Sequence, residues 1–355
     1  MKILHLSSER YWRGGERQIS FLISELSKEG VENIVLARKK SKFLDHCNEN
    51  NIKSFSCYFS NNMDFITALK IKSIAHEQKV DFVHAHTPRG HSLCNLASTF
   101  GMDTPVIVTK RTVFPIKRPK KYLNSNIVRH IAISLAVKEI LISAGVKHSK
   151  IDVIYSSIDL ENYNVASENF RKQYELEGKF CIANTSALTA EKDYITFLNT
   201  AKLVIEKHDH ARFIIMGDGN EYEHLKRYVH DLGIADKVVF TGFISNVKEV
   251  LSEMDLFCMT SSLEGLGSSI LDAMALKLPV VATNAGGMKE LVINGKTGFS
   301  CNIKDEVCLS QGILQVIENS DLKDSFISES SAFLQDFTIQ EMGRKTLELY
   351  KNLLS

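Results

Sequence analysis

No apolar run in these 355 residues is long enough to span a bilayer. The N-terminal run from Met1 to Leu6 turns polar at Ser7, too soon for the core of a secretory signal. The chain is therefore expected to begin directly with a strand and to work in the cytoplasm, at most peripherally at the inner face of a membrane. Low-complexity sequence and short repeats are both missing, which argues against solenoids and propellers. No C-x-x-C pair occurs among Cys47, Cys57, Cys94, Cys181, Cys258, Cys301 and Cys308. An odd set in mostly apolar surroundings reads as reduced, buried thiols. G-x-G-x-x-G is absent, which argues against a dinucleotide, and without G-K-S/T there is no Walker loop.

Net charge is also small, at +1, but it is unevenly divided. Residues 1–165 carry 24 Lys and Arg against 15 Asp and Glu, a surplus of +9, and the remainder carries −8. The basic first half is expected to face something anionic.

The chain is too long for one core, so two domains are expected. Short apolar segments at 2–7, 33–37, 81–85, 105–109, 130–133 and 150–154 read as strands, with helices at 15–28 and 64–77. A second series of strands falls at 180–185, 211–216, 237–241, 256–259 and 279–283. Helical stretches at 193–207, 221–232, 246–253, 268–276 and 287–293 lie between and after them. The strands lack clean alternation, as strands buried on both faces do. Strand–helix alternation implies parallel sheets with right-handed crossovers. The expected fold is α/β, with two Rossmann-like, doubly wound parallel-sheet domains at 1–165 and 166–336. A final helix occupies 337–355, and the polar stretch 159–178 reads as a linker. Ligands of such sheets bind beyond the carboxyl ends of the strands, so the loops after the strands carry the chemistry.

The strongest loop is Ser261-Ser262-Leu263-Glu264-Gly265-Leu266-Gly267-Ser268-Ser269-Ile270-Leu271-Asp272. Glu264 sits among glycines that let a backbone approach a ligand. Ser268 fits a helix start, where free N–H groups attract phosphate. Asp272 lies about one turn further on. A capped core helix would explain either acid alone, but not the whole constellation. The segment resembles the Glu-x7-Glu region of retaining glycosyltransferases of family 4, which have the GT-B fold and bind a nucleotide-sugar donor in the cleft between two domains. In that family the first acid contacts the donor sugar and the second the ribose. The resemblance puts those roles on Glu264 and Asp272, the latter one methylene shorter than the usual Glu.

Thr185 to Tyr194 resembles the family's loop in which an Arg and a Lys neutralise the diphosphate. Lys192 takes the Lys position, and Ala187 stands where the Arg would be. Arg13-Gly14-Gly15-Glu16 resembles the family's Gly-Gly loop, and two glycines before a helix make an anion nest. Gly217 and the pair Gly242-Phe243 complete the donor side; the family binds the base with main-chain groups at the latter. The resemblance covers nearly the whole chain and implies that the last helix crosses back to the N-terminal domain.

On the acceptor side, Arg111 stands where the family often has a His. A guanidinium is no base at neutral pH, but it binds phosphate, carboxylate or hydroxyls. His84 and His86 are expected to face apart and to hold no metal, with His86, nearer the strand end, as the site residue. Lys117, Arg118, Lys120 and Lys121 form a basic cluster. It reads either as a solvated loop or as a docking surface for anionic lipid or a phosphorylated acceptor. No recognised nucleic-acid module accompanies the charge.

The resemblance implies transfer of a sugar, with retention, from a UDP- or GDP-sugar to a glycan or glycolipid in polysaccharide or lipopolysaccharide synthesis. It implies no cofactor, and the absence of D-x-D argues against metal dependence. Two alternatives stay open. One is a non-catalytic nucleotide-sugar-binding subunit, for which Ala187 and Asp272 speak. The other is an epimerase or phosphorylase of the same fold.

Overall fold

The computed structural model describes residues 1–163, 165 and 169–355. The chain divides into two compact units, Met1–Ser157 with Ile339–Ser355, and Ile158–Thr338. The boundary expected after residue 165 involves Ala166, which lies outside the described residues.

The first unit holds seven strands: β1 (Lys2–Ser7), β2 (Glu32–Arg38), β3 (Ser54–Cys57), β4 (Phe82–Ala85), β5 (Val106–Lys110), β6 (Ile127–Ala132) and β7 (Ile151–Val153). They pair in parallel in the order β3-β2-β1-β4-β5-β6-β7. Both faces are covered. Leu4, Leu6, Leu36 and Val83 pack with Ala68, Ile71 and Leu93 of the helices Phe65–Glu77 and Pro88–Thr99. Ile3, Phe82 and Ile107 pack with Leu22 and Leu26 of the helix Gly14–Lys28 and with Met342 and Tyr350 of the helix Ile339–Leu354. Neighbouring residues of one strand thus face two different cores, which is why the strands do not alternate in hydropathy.

The second unit holds β8 (Phe180–Thr185), β9 (Ala211–Met216), β10 (Val238–Gly242), β11 (Leu256–Met259), β12 (Val280–Thr283) and β13 (Phe299–Cys301). Their order is β10-β9-β8-β11-β12-β13, again parallel. Each sheet reverses its direction of growth once, at β1/β4 and at β8/β11. The loops leaving the carboxyl ends of those neighbours diverge, which opens the ground where ligands of such sheets bind.

Four expectations are corrected. β3 and β13 were not anticipated. The stretch 159–178 is not a bare linker: Phe170 and Leu176 are buried, and Arg171 pairs with Asp255 at 2.6 Å. Not all cysteines are free thiols, because Cys301 and Cys308 are bridged, with Cα atoms 5.8 Å apart. The other five are free and buried. Finally, the helix expected at 15–28 begins one residue earlier, so Gly14 as well as Gly15 lies within its first turn and the pair does not precede it. Among the described residues, no helix is long and apolar enough to cross a membrane.

The terminal helix is seated by Gly343, where an added Cβ would stand 2.5 Å from Glu25 Cβ. Replacing Gly by Ala inside a helix ordinarily stabilises by up to about 1 kcal/mol. Here we expect Gly343→Ala to lower the melting temperature, because overpacking costs about 1–3 kcal/mol. Thermal unfolding of the variant checks this; a raised midpoint would show that the two helices are free to part.

Candidate functional site

In the second unit, the two loops at the β8/β11 switch point are stitched together. Ser262 N–H donates to Glu191 O at 2.8 Å, and Thr260 Oγ1 donates to Asp193 O at 3.0 Å. This brings together the two residues expected at the donor. Lys192, at the end of a 3-10 turn after β8, forms an ion pair through Nζ with Glu264 Oε2, and both side chains are under one-fifth exposed. Glu264 Oε1 also accepts from Gly265 N–H at 3.1 Å. The loop after β12 presses on the same spot. Gly287 N–H donates to Glu264 O at 3.1 Å. A Cβ on Gly286, whose φ is +52, would lie 2.0 Å from that oxygen. Only glycine passes there.

Gly267, at φ +93, caps the helix Ser268–Ala275 without a side-chain hydrogen bond. The first-turn N–H groups therefore carry no side-chain cap and meet the positive end of the helix dipole. Asp272 lies one turn in and is buried, and its Oδ1 accepts a hydrogen bond from the Tyr163 hydroxyl. Tyr163 itself lies under the Lys248 ammonium, 4.1 Å from the ring centroid. Leu266 is core, so only its main chain can face a ligand. Gly217 N–H donates to Gly242 O at 2.9 Å, which joins the loops after β9 and β10. Phe243 is 78% exposed, a ring available for stacking. Ala187 is exposed and supplies no cation. Thr189 Oγ1 and Ser261 Oγ, in the two stitched loops, are buried with no hydrogen-bond partner among the described residues.

In the first unit, the β1/β4 switch point gathers a different chemistry. Ser7 Oγ donates to Glu16 Oε1 at 3.1 Å. Burial pushes the Glu16 carboxyl up, against its own backbone N–H, Ser7 and the Arg111 charge. Arg111 lies beside Gly15, its Cδ 3.8 Å from where a Cβ would stand. Burial lowers the guanidinium to about 10, opposed by Glu16, so it stays charged at neutral pH. Its Nε has no hydrogen-bond partner among the described residues.

The expectation that His84 and His86 face apart fails. Residues two apart along a strand share a face, and the two ring centroids lie 3.9 Å apart. His5 of β1 completes a buried trio whose ligand nitrogens all lie within 4.8 Å of one another. His84 is held by Tyr350 Oη at 2.6 Å and Thr109 Oγ1 at 2.7 Å. His5 is held by His86 Nε2 at 3.0 Å and Asn33 Oδ1 at 2.9 Å. Burial lowers all three imidazoles, His5 to about 4 and the other two well below their ordinary value.

The basic cluster is split. Lys117, Arg118 and Lys120 are exposed. Lys121 is half-buried and donates to Pro88 O at 2.5 Å, and burial together with Lys110 lowers it to about 8. Sequence reasoning missed Glu16, His5, Asn33 and Tyr163. Glu16 could have been found, since it follows the Gly-Gly pair in the first turn of a helix. Nothing in the sequence marks Tyr163.

Residues 166–332 match the family described as Glycosyl transferases group 1, and residues 12–162 match Glycosyltransferase Family 4. N-acetyl-alpha-D-glucosaminyl L-malate synthase of Bacillus anthracis is 26% identical, over 76% of this chain and 74% of its own. The N-acetylgalactosamine-N,N'-diacetylbacillosaminyl-diphospho-undecaprenol 4-alpha-N-acetylgalactosaminyltransferase of Campylobacter jejuni is 21% identical, over 94% of this chain and 95% of its own. HepE of Anabaena, solved in complex with UDP and glucose, superposes with a TM-score of 0.88 at 22% identity, over 99% of this chain and all of that one. At that identity the likeness speaks for the fold.

The Lys192–Glu264 pair is coupled enough to measure. Removing either partner leaves a largely buried charge alone, and we expect Lys192→Ala and Glu264→Ala each to destabilise by about 1–3 kcal/mol. The double variant should lose clearly less than the sum, as directly interacting residues do. Melting temperatures of the three variants test it, and strict additivity would dissolve the pair.

Proposed function

This chain belongs to the family 4, group 1 glycosyltransferases, and on that premise we propose that it moves a sugar, with retention, from a UDP- or GDP-sugar to a glycan or lipid-linked acceptor. The observation that carries the reading is the Lys192–Glu264 pair, presented by the two loops at the switch point of the second sheet. An ammonium held there by a carboxylate can exchange that partner for the oxygens of a diphosphate. The uncapped N-terminus of the helix Ser268–Ala275 adds N–H groups and dipole to the same anion. Glu264 and the Gly265 N–H are then released to meet hydroxyls of the donor sugar.

The reaction needs little more than position and charge. The bond between the anomeric carbon and the diphosphate oxygen breaks, and its electron pair leaves with the diphosphate. The acceptor hydroxyl forms the new bond from the same face and gives its proton to the leaving phosphate oxygen. Lys192 stabilises the charge that develops on that oxygen. Gly242-Phe243 is assigned to the base and Asp272 to the ribose, with Tyr163 as its hydrogen-bonding neighbour. Arg111 and His86 are assigned to the acceptor. The step draws on no protein-bound metal.

The acceptor chemistry is supported by the exposed Lys117, Arg118 and Lys120, beside the exposed Phe114 and Leu123. Basic and apolar side chains on one loop suit an anionic membrane surface, and a polyprenyl or lipid acceptor would be met there. Two observations favour a second reading, a non-catalytic subunit that only binds the nucleotide sugar. Ala187 supplies no guanidinium and the Asp272 carboxylate is already engaged. That reading predicts that Lys192→Ala leaves biological activity intact.

Glu264→Ala should reduce transfer at least about tenfold, the equivalent of roughly 1.4 kcal/mol of transition-state stabilisation. Full activity would remove Glu264 from the donor site. A thermal-shift panel of UDP, GDP, ADP and their sugars should give a clear rise with one base only, since a ligand of the folded state raises its melting temperature. Replacing Lys117, Arg118 and Lys120 by Gln should weaken co-sedimentation with anionic vesicles while leaving donor binding unchanged. Unchanged co-sedimentation would discard the membrane contact.

A further inference from the structure

Among the six ring nitrogens of His5, His84 and His86, one has no hydrogen-bond partner among the described residues: Nδ1 of His86, a residue that is 3% exposed. The neighbours decide which nitrogen carries each proton. Asn33 Nδ2 donates to Val31 O at 3.0 Å and lies 3.4 Å from Ile23 O. Two carbonyls on that side fix the amide orientation and turn Oδ1 toward His5. Oδ1 can only accept, so His5 Nε2 carries its proton. His5 is neutral at neutral pH, so its Nδ1 is a bare lone pair, 3.0 Å from His86 Nε2. That lone pair needs a donor, which places the His86 proton on Nε2.

We infer that Asn33 and His5 are positioning residues that lock His86 in its Nε2–H tautomer, leaving Nδ1 as a preformed hydrogen-bond acceptor for a substrate hydroxyl at the switch point of the first sheet. The inference rests on the sugar-transfer reading for the identity of that hydroxyl. The chemistry selects the ligand class. A buried unmet acceptor costs about 1–3 kcal/mol, and only a donor relieves it. An ionised phosphate has no proton to give. A cation is disfavoured by Arg111, whose charge reaches His86. A neutral hydroxyl satisfies Nδ1 and can in turn accept from a donor such as the unpartnered Arg111 Nε.

A shared metal ion is the competing use of three clustered imidazoles. Metal ligation uses in-plane lone pairs that converge on one point. Here the His5 and His86 rings are stacked at 20° between planes, His84 lies 3.9 Å from His86 centroid to centroid, and both His84 nitrogens are engaged. The arrangement is a hydrogen-bonded stack.

Nitrogen-15 NMR of the histidine-labelled full chain at neutral pH reads the tautomer directly, with His86 assigned from the His86→Asn spectrum. Nδ1 is expected to be the unprotonated nitrogen. In Asn33→Asp the new carboxylate favours a charged His5, whose Nδ1–H then donates to His86 Nε2 and moves the His86 proton to Nδ1. His84 and Arg111 face the same ring and are unchanged between the two proteins. In the transfer assay His86→Asn, which keeps an amide oxygen near the Nδ1 position, should retain kcat/KM within about tenfold of wild type. His86→Gln and His86→Ala should lose more than that, and Asn33→Asp should lose kcat/KM in step with its tautomer change. A protonated Nδ1 in an active wild type overturns the lock, and His86→Asn as impaired as His86→Ala overturns the role of Nδ1. One equivalent of zinc that shifts all three imidazoles and raises the melting temperature replaces the proposal with a metal site. A wild type that binds no nucleotide and transfers no sugar, with Nδ1 bare, overturns the transfer reading and the substrate hydroxyl with it, while supporting the lock.

Discussion

A parallel sheet that grows in both directions from one pair of strands must part its loops above that pair, and both sheets of this chain gather a cluster of ionisable side chains at that pair. Helices cover the two faces of each sheet, so the carboxyl end at β1/β4 and at β8/β11 is where polar side chains can gather without breaking a core. His5 and His84 are cross-strand partners in β1 and β4, and Lys192 and Glu264 leave β8 and β11. The strand order decides which residues meet, although 72 positions separate Lys192 from Glu264.

The two switch points solve the problem of polar groups in opposite ways. In the second unit the largely buried side chains of Lys192 and Glu264 are held against each other as an ion pair, and a partner lost from it must be replaced by another group of the same charge. In the first unit the polar groups are fully buried, and burial holds them neutral: three imidazoles lose their charge and Glu16 is pushed toward its protonated form. Arg111 alone keeps its charge there, because a guanidinium cannot be neutralised near pH 7. One end is therefore suited to an anion and the other to hydroxyls.

Much of this was legible in the sequence. β8, β9 and β11 fall where the apolar runs place them, because central parallel strands read as unbroken hydrophobic segments. β3 and β13 lie at sheet edges with Ser between their apolar residues, so their signal is short and mixed. The helix Pro88–Thr99 was hidden behind Pro88 and Gly90, which read as turn residues, although Pro is at home in the first helical position. Lys192 and Glu264 were found because their loops carry a pattern. Tyr163 and Asn33 were not, because their importance comes from one partner each, Asp272 and His5, distant in sequence. The disulfide was missed for another reason: Cys301 and Cys308 are only 7 positions apart, and they meet because β13 runs into the helix Glu306–Glu318.

The first unit is sewn shut by the last helix, whose Tyr350 is wholly buried against Phe82 and bonded to His84. During synthesis on the ribosome, residues 1–157 emerge long before residues 339–354. At about 5–20 residues per second the intervening stretch takes roughly 10 to 40 s to make. For that interval Ile3, Phe82 and Ile107 have Leu22 and Leu26 of the helix Gly14–Lys28 beside them but not Met342 and Tyr350, and the apolar surface that those two bury is open to chaperones. The second unit, continuous in sequence, can close first. The half of the protein that begins the chain is thus the half that finishes folding last.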